Sequence, residues 1–345
     1  ILDRRAFPRD KVCAGWVTPE VVRLLDIDLK EYSRGRVLQP IRGFSVGILG
    51  DRLVESAFPG EPSSYGIRRI EFDHYLLQRC GAELILNEPF EVMEKLDGDW
   101  CINGRLRAKL VIGAGGHNCP VARAVGARSA GEQAVVAQEA EVELSPAQMA
   151  RCQVKYDVPE LFFTPDLKGY GWVFRKGNFL NVGLGREDKE KLPHHVQAFR
   201  KFLEAECRIP SGLIPHFDGH AYLLYNHARR ELLSDRILLI GDAAGLAYPQ
   251  SGEGIRPAVE SALIAARVIR DARGDYSPVK VRAYRQRMET RFGERRARAG
   301  LMERLPLSVK QLFATRLMRT LWFTRDVVIR KWFLQTHQRP LRDNL

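Results

Sequence analysis

A chain of 345 residues with 45% apolar content is long enough for a large core, arranged as two lobes or one large α/β body. It holds no run of 18 apolar residues, no tripartite leader pattern at its start and no zinc-type or paired spacing among its six cysteines. Composition therefore argues against a membrane-spanning, disulfide-stapled or metal-bound protein and for a cytoplasmic one. The net charge of +12 resides in the C-terminal segment, with 19 Lys and Arg against 7 Asp and Glu from Arg270 onward and 35 of each before it; such a patch suits a polyanion, an anionic membrane or a solvated helix face.

In chain order, Ile1 to about Pro40 reads as a strand end, a loop and a short helix. Thr18-Pro19-Glu20 marks the helix start, a capping residue followed by proline at the first helical position. Ile41 to Ser56 reads as strand and turn, Phe72 to Cys80 as helix, Gly81 to Leu86 as a short strand, and Phe90 to Arg107 as a hairpin turning at Asp97-Gly98. Leu110 to Ile112 is a buried strand that runs into glycines. From Gln133 to Arg186 the pattern is strand-rich, with Tyr170, Trp172 and Phe174 on one face and Leu180, Val182 and Leu184 on another, which predicts a largely antiparallel sheet. Lys189 to Glu206 predicts an amphipathic helix, Arg236 to Ile240 an apolar strand, Gly254 to Ala272 a long helix, and Val279 to Thr336 a basic helical region.

The chemistry-bearing segment is Ile237 to Gly254. An apolar strand ends in Gly241-Asp242-Ala243-Ala244-Gly245, where small residues let a dinucleotide approach the backbone and Asp242 can accept hydrogen bonds from sugar-alcohol hydroxyls. Pro249-Gln250-Ser251-Gly252-Glu253-Gly254 then feeds a helix, so free N–H groups and the positive helix end face whatever lies in front, as the negative edge of a reduced flavin requires.

The run GDAAGLAYPQSGEGI resembles the second FAD-binding motif of p-hydroxybenzoate hydroxylase-type flavoproteins, and within them the geranylgeranyl reductase-like branch. Leu2-Asp3-Arg4 through Gly15, Lys109 to Gly116, and Gly169-Tyr170-Gly171-Trp172-Val173-Phe174 are similar to further segments of that branch. The resemblance implies an α/β fold: a Rossmann-like FAD-binding domain of the glutathione reductase type (1–40, 68–130 and 232–275), interleaved with an antiparallel-sheet substrate domain (41–67 and 131–231) and followed by a basic helical region (276–345). It further implies that Asp3 caps its strand and binds the adenosine ribose and that Arg4 contacts the cofactor. Lys11, Ala114, Gly241 and Asp242 would contact the cofactor, and Gly252, Glu253, Gly254 and Ile255 would line the isoalloxazine. Tyr170 and Trp172 would wall the substrate cavity, and Cys13 would have a catalytic or substrate-positioning role. From the residues alone, Cys13 reads equally as a buried small hydrophobe and the aromatic pair as sheet core.

Three departures accompany the likeness. No G-x-G-x-x-G opens a βαβ unit, so about 30 residues of strand, turn and helix are expected upstream, and this segment is expected to bind FAD poorly without them. Gly115 stands where the family commonly carries aspartate, which leaves NAD(P)H or another reductant open as electron donor, and Arg175 stands where the reductase signature has proline.

Between Leu305 and Phe333, Leu312, Phe313, Leu317, Leu321, Trp322, Val328, Trp332 and Phe333 recur at helical spacing among arginines. This suits either a helical cap on the body or a peripheral helix on the inner face of an anionic membrane; nucleic acid is disfavoured because no reader motif accompanies the charge. The leading expectation is an FAD-dependent oxidoreductase reducing C=C bonds of a hydrophobic isoprenoid-type or lipid substrate. The alternatives are an FAD monooxygenase of an aromatic or polyketide-like compound and a non-catalytic flavoprotein scaffold that binds a membrane or partner. Fold and motif alone do not separate them, and the oligomeric state is left open.

Overall fold

The computed structural model describes residues 1–128, 131–188, 191–228, 230–295 and 306–341, so the stretch 296–305 of the basic region lies outside the described residues. Two parallel strand pairs form the cofactor-type half: Leu2–Asp3 beside Ile85–Leu86, and Val111–Gly113 beside Ile237–Leu239. Ile237, Leu238 and Leu239 are fully buried, as an apolar strand covered on both faces must be. The Ile255–Ala272 helix packs against them. Its buried positions Pro257, Ser261, Ile264, Ala265 and Val268 recur three and four apart and so form one face against the strand. The hairpin of Met93–Leu96 and Asp99–Ile102 turns at Asp97-Gly98 as expected and gains a third strand, Leu106–Ala108.

The second body is a seven-stranded sheet in the order Asp218–Leu223, Ala134–Glu143, Phe179–Arg186, Gly169–Lys176, Glu160–Phe163, Gly43–Ile48, Val54–Ala57. All neighbours run antiparallel except Glu160–Phe163 and Gly43–Ile48, which are parallel. Alternation along the strands assigns its two faces. Leu180, Val182 and Leu184 lie under the Leu192–Ala205 helix, which buries Val196, Phe199 and Leu203 against them. The intervening Asn181, Gly183 and Gly185 sit on the opposite face, paired in register with Phe174, Trp172 and Tyr170. That face looks toward the cofactor-type half.

The expected C-terminal helix is two pieces. Leu307–Met318 is α-helical and Phe323–Phe333 is wound as a π-helix, which rotates their apolar residues onto different surroundings. Val328, Ile329 and Phe333 are buried among Trp16, Phe44, Tyr170 and Trp172, whereas Leu312, Phe313, Leu321 and Trp322 face solvent. The segment thus forms a cap along one stripe and an open apolar surface along another. Among the described residues no helix is long and apolar enough to cross a membrane, and no cluster of His, Cys, Asp or Glu could hold a metal.

Candidate functional site

The strand Ile237–Leu239 delivers the chain into a tight turn, Gly241–Ala244, and this places the Asp242 carboxylate at the strand's end. Burial pushes the Asp242 carboxyl up, but nearby His220, Lys11 and Arg69 outweigh it and hold the pKa below the usual carboxylate value. His220 Nε2 lies 3.8 Å from Asp242 Oδ2. Farther on, the loop from Tyr248 closes on itself: Gly252 N–H donates to the Tyr248 carbonyl at 2.8 Å and Tyr248 N–H to the Glu253 carbonyl at 3.0 Å. Gly252 has φ +67°, and a Cβ there would fall 2.3 Å from the Tyr222 hydroxyl, so the loop and Tyr222 fit only with glycine between them.

Glu253 Oε1 accepts the Arg256 N–H at 2.7 Å and so caps the long helix, while Oε2 is shut off from solvent with no hydrogen-bond partner. Burial pushes its carboxyl up to about 7.

A second loop, Cys13 to Gly15, is gripped by two strands of the seven-stranded sheet and by the neighbouring Ser64–Ile67 strand. Glu139 Oε1 accepts the Cys13 N–H at 2.5 Å, the Lys176 ammonium donates to the Ala14 carbonyl at 3.0 Å, and Ile67 N–H donates to the Gly15 carbonyl at 2.7 Å. Arg69, paired bidentately with Asp73 at 2.7 Å for each bond, lies beside the Cys13 side chain. Tyr170 joins the two loops' surroundings: its hydroxyl donates to the Ser251 carbonyl and its ring packs on Phe163, Trp172 and Phe333. Burial raises the Tyr170 phenol well above its usual pKa, so it stays a neutral donor.

The structure therefore brings Lys11, Cys13, Tyr170, Trp172, Gly241, Asp242, Gly252, Glu253, Gly254 and Ile255 around one region. Asp3 stands at its strand end, where it accepts the Arg5 N–H at 2.9 Å and faces Arg9 at 3.8 Å; Arg4 and Ala114 are exposed. Sequence reasoning did not find Arg69, Glu139, Asn181, Lys176, His220 or Tyr222. One signal was available: Glu139, Glu141, Lys176 and Asn181 are polar residues inside strands that otherwise read as core.

Burial also pushes the Glu139 carboxyl up, to about 7, against the pull of Lys176, the Cys13 N–H and Asn181 and with Glu141 adding to the rise. The folded chain therefore binds this proton more tightly than the unfolded chain, whose carboxyl titrates near the ordinary 4.5. The stabilisation is present below pH 4.5 and is lost as pH rises through 7. Relative to Glu139→Gln, the parent should lose up to about 3 kcal/mol between pH 5 and 8. Urea titrations of both proteins at the two pH values measure it; a pH-independent difference would contradict the assignment.

The family described as FAD binding domain matches residues 93–316. The chain is 28% identical over 249 residues to a digeranylgeranylglycerophospholipid reductase of Methanocaldococcus jannaschii, covering 67% of this chain and 61% of that protein. It is 28% identical over 293 residues to a chloroplastic geranylgeranyl diphosphate reductase of Oryza sativa subsp. japonica, covering 78% of this chain and 60% of that protein. The chain thus spans about three-fifths of the length of these two curated relatives. Among solved structures, a geranylgeranyl bacteriochlorophyll reductase-like protein from Thermoplasma acidophilum superposes with a TM-score of 0.75 at 20% identity, over 100% of this chain and 92% of that one; this likeness establishes the fold.

Proposed function

The chain belongs to the FAD binding domain family, and from that premise we propose that it is an FAD-dependent oxidoreductase that saturates C=C bonds of an isoprenoid-type lipid. The residues present fit the ribityl and isoalloxazine end of FAD. The glycine at 252 leaves the loop no room for a side chain against Tyr222, Gly254 opens an 18-residue helix, and the Glu253 Oε2 atom is buried without a partner. Asp242 and Lys11 would hold the ribityl region, Gly252 to Ile255 the ring, and Asp3 and Arg4 the adenosine side, while Gly241 and Ala114, just past their strand ends, would let the cofactor approach the backbone. The division into an FAD-binding part (1–40, 68–130, 232–275), a substrate part (41–67, 131–231) and a helical region (276–345) is proposed with them.

Reduced FAD, when bound, supplies the hydride that goes to one alkene carbon. The protein's share is orientation and the proton for the other carbon. Tyr170 and Trp172, which pack on the Phe333 side of the sheet, would line the path of an apolar chain, and the Cys13 thiol or a water molecule it orients would supply the proton. The observation that carries the reading is the convergence of the Cys13 loop and the Tyr170–Trp172 wall on the Asp242 and Gly252 loops. The test is anaerobic incubation of the full-length, dithionite-reduced protein with prenyl lipids. The expected result is product heavier by two hydrogens per double bond; oxygen-dependent NAD(P)H consumption with an oxygenated product would replace this reading with a monooxygenase.

The finer part of the proposal is a peripheral position on an anionic membrane at its cytoplasmic face. Leu312, Phe313, Leu321 and Trp322 are 46–67% exposed next to exposed Arg316 and Lys331, on the elements whose inner stripe packs against Tyr170 and Trp172. Co-sedimentation with vesicles of anionic and neutral lipid should show binding to the anionic ones, and Phe313→Ala with Trp322→Ala should weaken it about tenfold or more. Equal recovery of parent and double variant would remove the membrane assignment.

A further inference from the structure

Glu139 and Asn181 are deeply buried, lie outside the FAD motifs, and join two parts of the site that the sequence keeps far apart. The Trp172 indole N–H donates to Asn181 Oδ1 at 2.7 Å, Asn181 Nδ2 donates to Glu139 Oε2 at 3.3 Å, and Glu139 Oε1 receives the Cys13 N–H at 2.5 Å. The polarity of this chain is forced. An indole can only donate, so Asn181 must turn its oxygen to Trp172 and its amide nitrogen to Glu139, and Glu139, once ionised above pH 7, accepts on both oxygens. Each member is fixed by its strand: Asn181 and Glu139 lie on neighbouring strands of the sheet face that looks toward the cofactor-type half.

We propose that Glu139 and Asn181 are positioning residues that latch the Cys13 loop to the Trp172 wall, so that movement of the wall by a bound substrate chain is felt at the cysteine. The proposal rests on the reading of Cys13 and Trp172 as substrate-facing. Lys176 reinforces the latch from the same sheet. It is fully buried, paired with Glu141 and bonded to the Ala14 carbonyl, so the loop backbone is held at an N–H and at the next carbonyl by side chains that cannot reach solvent. A loop needed only as a connection would not require two buried charged side chains to hold its backbone.

The forced polarity supplies a specific test. In Glu139→Gln the new amide offers one acceptor where two are needed, so a donor meets a donor and one link opens. In the exchange Glu139→Gln with Asn181→Asp all three links can form again. The carboxylate introduced at position 181 accepts from the Trp172 indole and from the amide nitrogen introduced at position 139, whose own oxygen accepts the Cys13 N–H. The readout is site-resolved iodoacetamide labelling by mass spectrometry at about pH 8, where Glu139 is ionised, and it needs neither turnover nor flavin. Cys101 and Cys119, both buried, report global opening in the same sample.

Glu139→Gln should label Cys13 about tenfold faster with Cys101 and Cys119 unchanged, and the exchange should return the rate to near the parent's. Trp172→Phe, which removes the indole N–H and keeps an aromatic ring, should speed Cys13 labelling in the same direction and keeps the question answerable should Glu139→Gln fold poorly. Unchanged Cys13 labelling in a folded Glu139→Gln or Trp172→Phe protein, or an exchange no slower than the single variant, would overturn the latch. A latch confirmed by labelling in a protein that fails to reduce prenyl lipids would sink the substrate reading alone.

Discussion

Glu260→Ala is expected to destabilise the protein by about 3–5 kcal/mol, because it strands two buried arginines. Glu260 is fully buried and receives Arg256 Nε at 2.8 Å on one oxygen and Arg291 Nε at 2.8 Å on the other. Arg291 also donates to the Arg339 carbonyl at 2.7 Å and to Gln338, which accepts the Tyr248 hydroxyl at 3.0 Å. One carboxylate therefore ties the helix that begins after the Pro249–Gly254 loop to the neighbouring Ala283–Phe292 helix and to the C-terminal segment. Removing it leaves two positive charges whose remaining partners are neutral acceptors. Urea unfolding against Glu289→Ala, an exposed carboxylate on the adjacent helix expected to shift stability by no more than about 0.5 kcal/mol, measures the difference. A loss below about 1 kcal/mol would show that water reaches the arginines and that the cluster is not the tie described.

The parts of this architecture that are legible in the sequence are those that local pattern dictates. Thr18-Pro19 begins its helix as expected, and the hairpin turns at Asp97-Gly98. Leu180, Val182 and Leu184 share a face because strand alternation admits no other solution. The Gly241 to Gly254 segment stands out because close backbone approach restricts residue size over a short stretch. What stays hidden is long-range. Glu139 meets Cys13 across 126 positions and Lys176 meets Ala14 across 162, so a carboxylate and an ammonium inside strands that read as core stand out, but what they meet stays illegible until the sheet's register is known. The C-terminal region differs from its expected continuity for a related reason. Helical spacing over Leu305 to Phe333 is satisfied by one long helix, but the π-helical winding from Phe323 shifts the phase and sends Val328 and Phe333 inward while Trp322 stays out.

The same contrast between local pattern and distant partner makes Gly252→Ala the most informative single change at the cofactor loop. Gly252 is expected from the sequence to line the flavin ring, but the constraint that the sequence does not show is the hydroxyl of Tyr222, thirty positions earlier, 2.3 Å from where a Cβ would stand, with ring carbons at 2.9 and 3.0 Å. Alanine there meets two penalties: about 1 kcal/mol for φ +67° and about 1–3 kcal/mol for the overlap, which only a displacement of the loop or of Tyr222 can relieve. Since that loop opens the helix at whose N-terminus the flavin is proposed to sit, the displacement should appear as roughly hundredfold weaker flavin retention while the overall fold persists. Gly50→Ala is the matched control, with φ +85° and open space around it, and should leave flavin content unchanged. Tyr222→Ala in the Gly252→Ala background removes the overlap but not the backbone cost, so it should recover part of the lost affinity. Flavin absorbance of the purified proteins and titration with FAD read all three. Full retention in Gly252→Ala would mean that the loop adapts without cost and that the fit of FAD to this loop does not depend on its present shape.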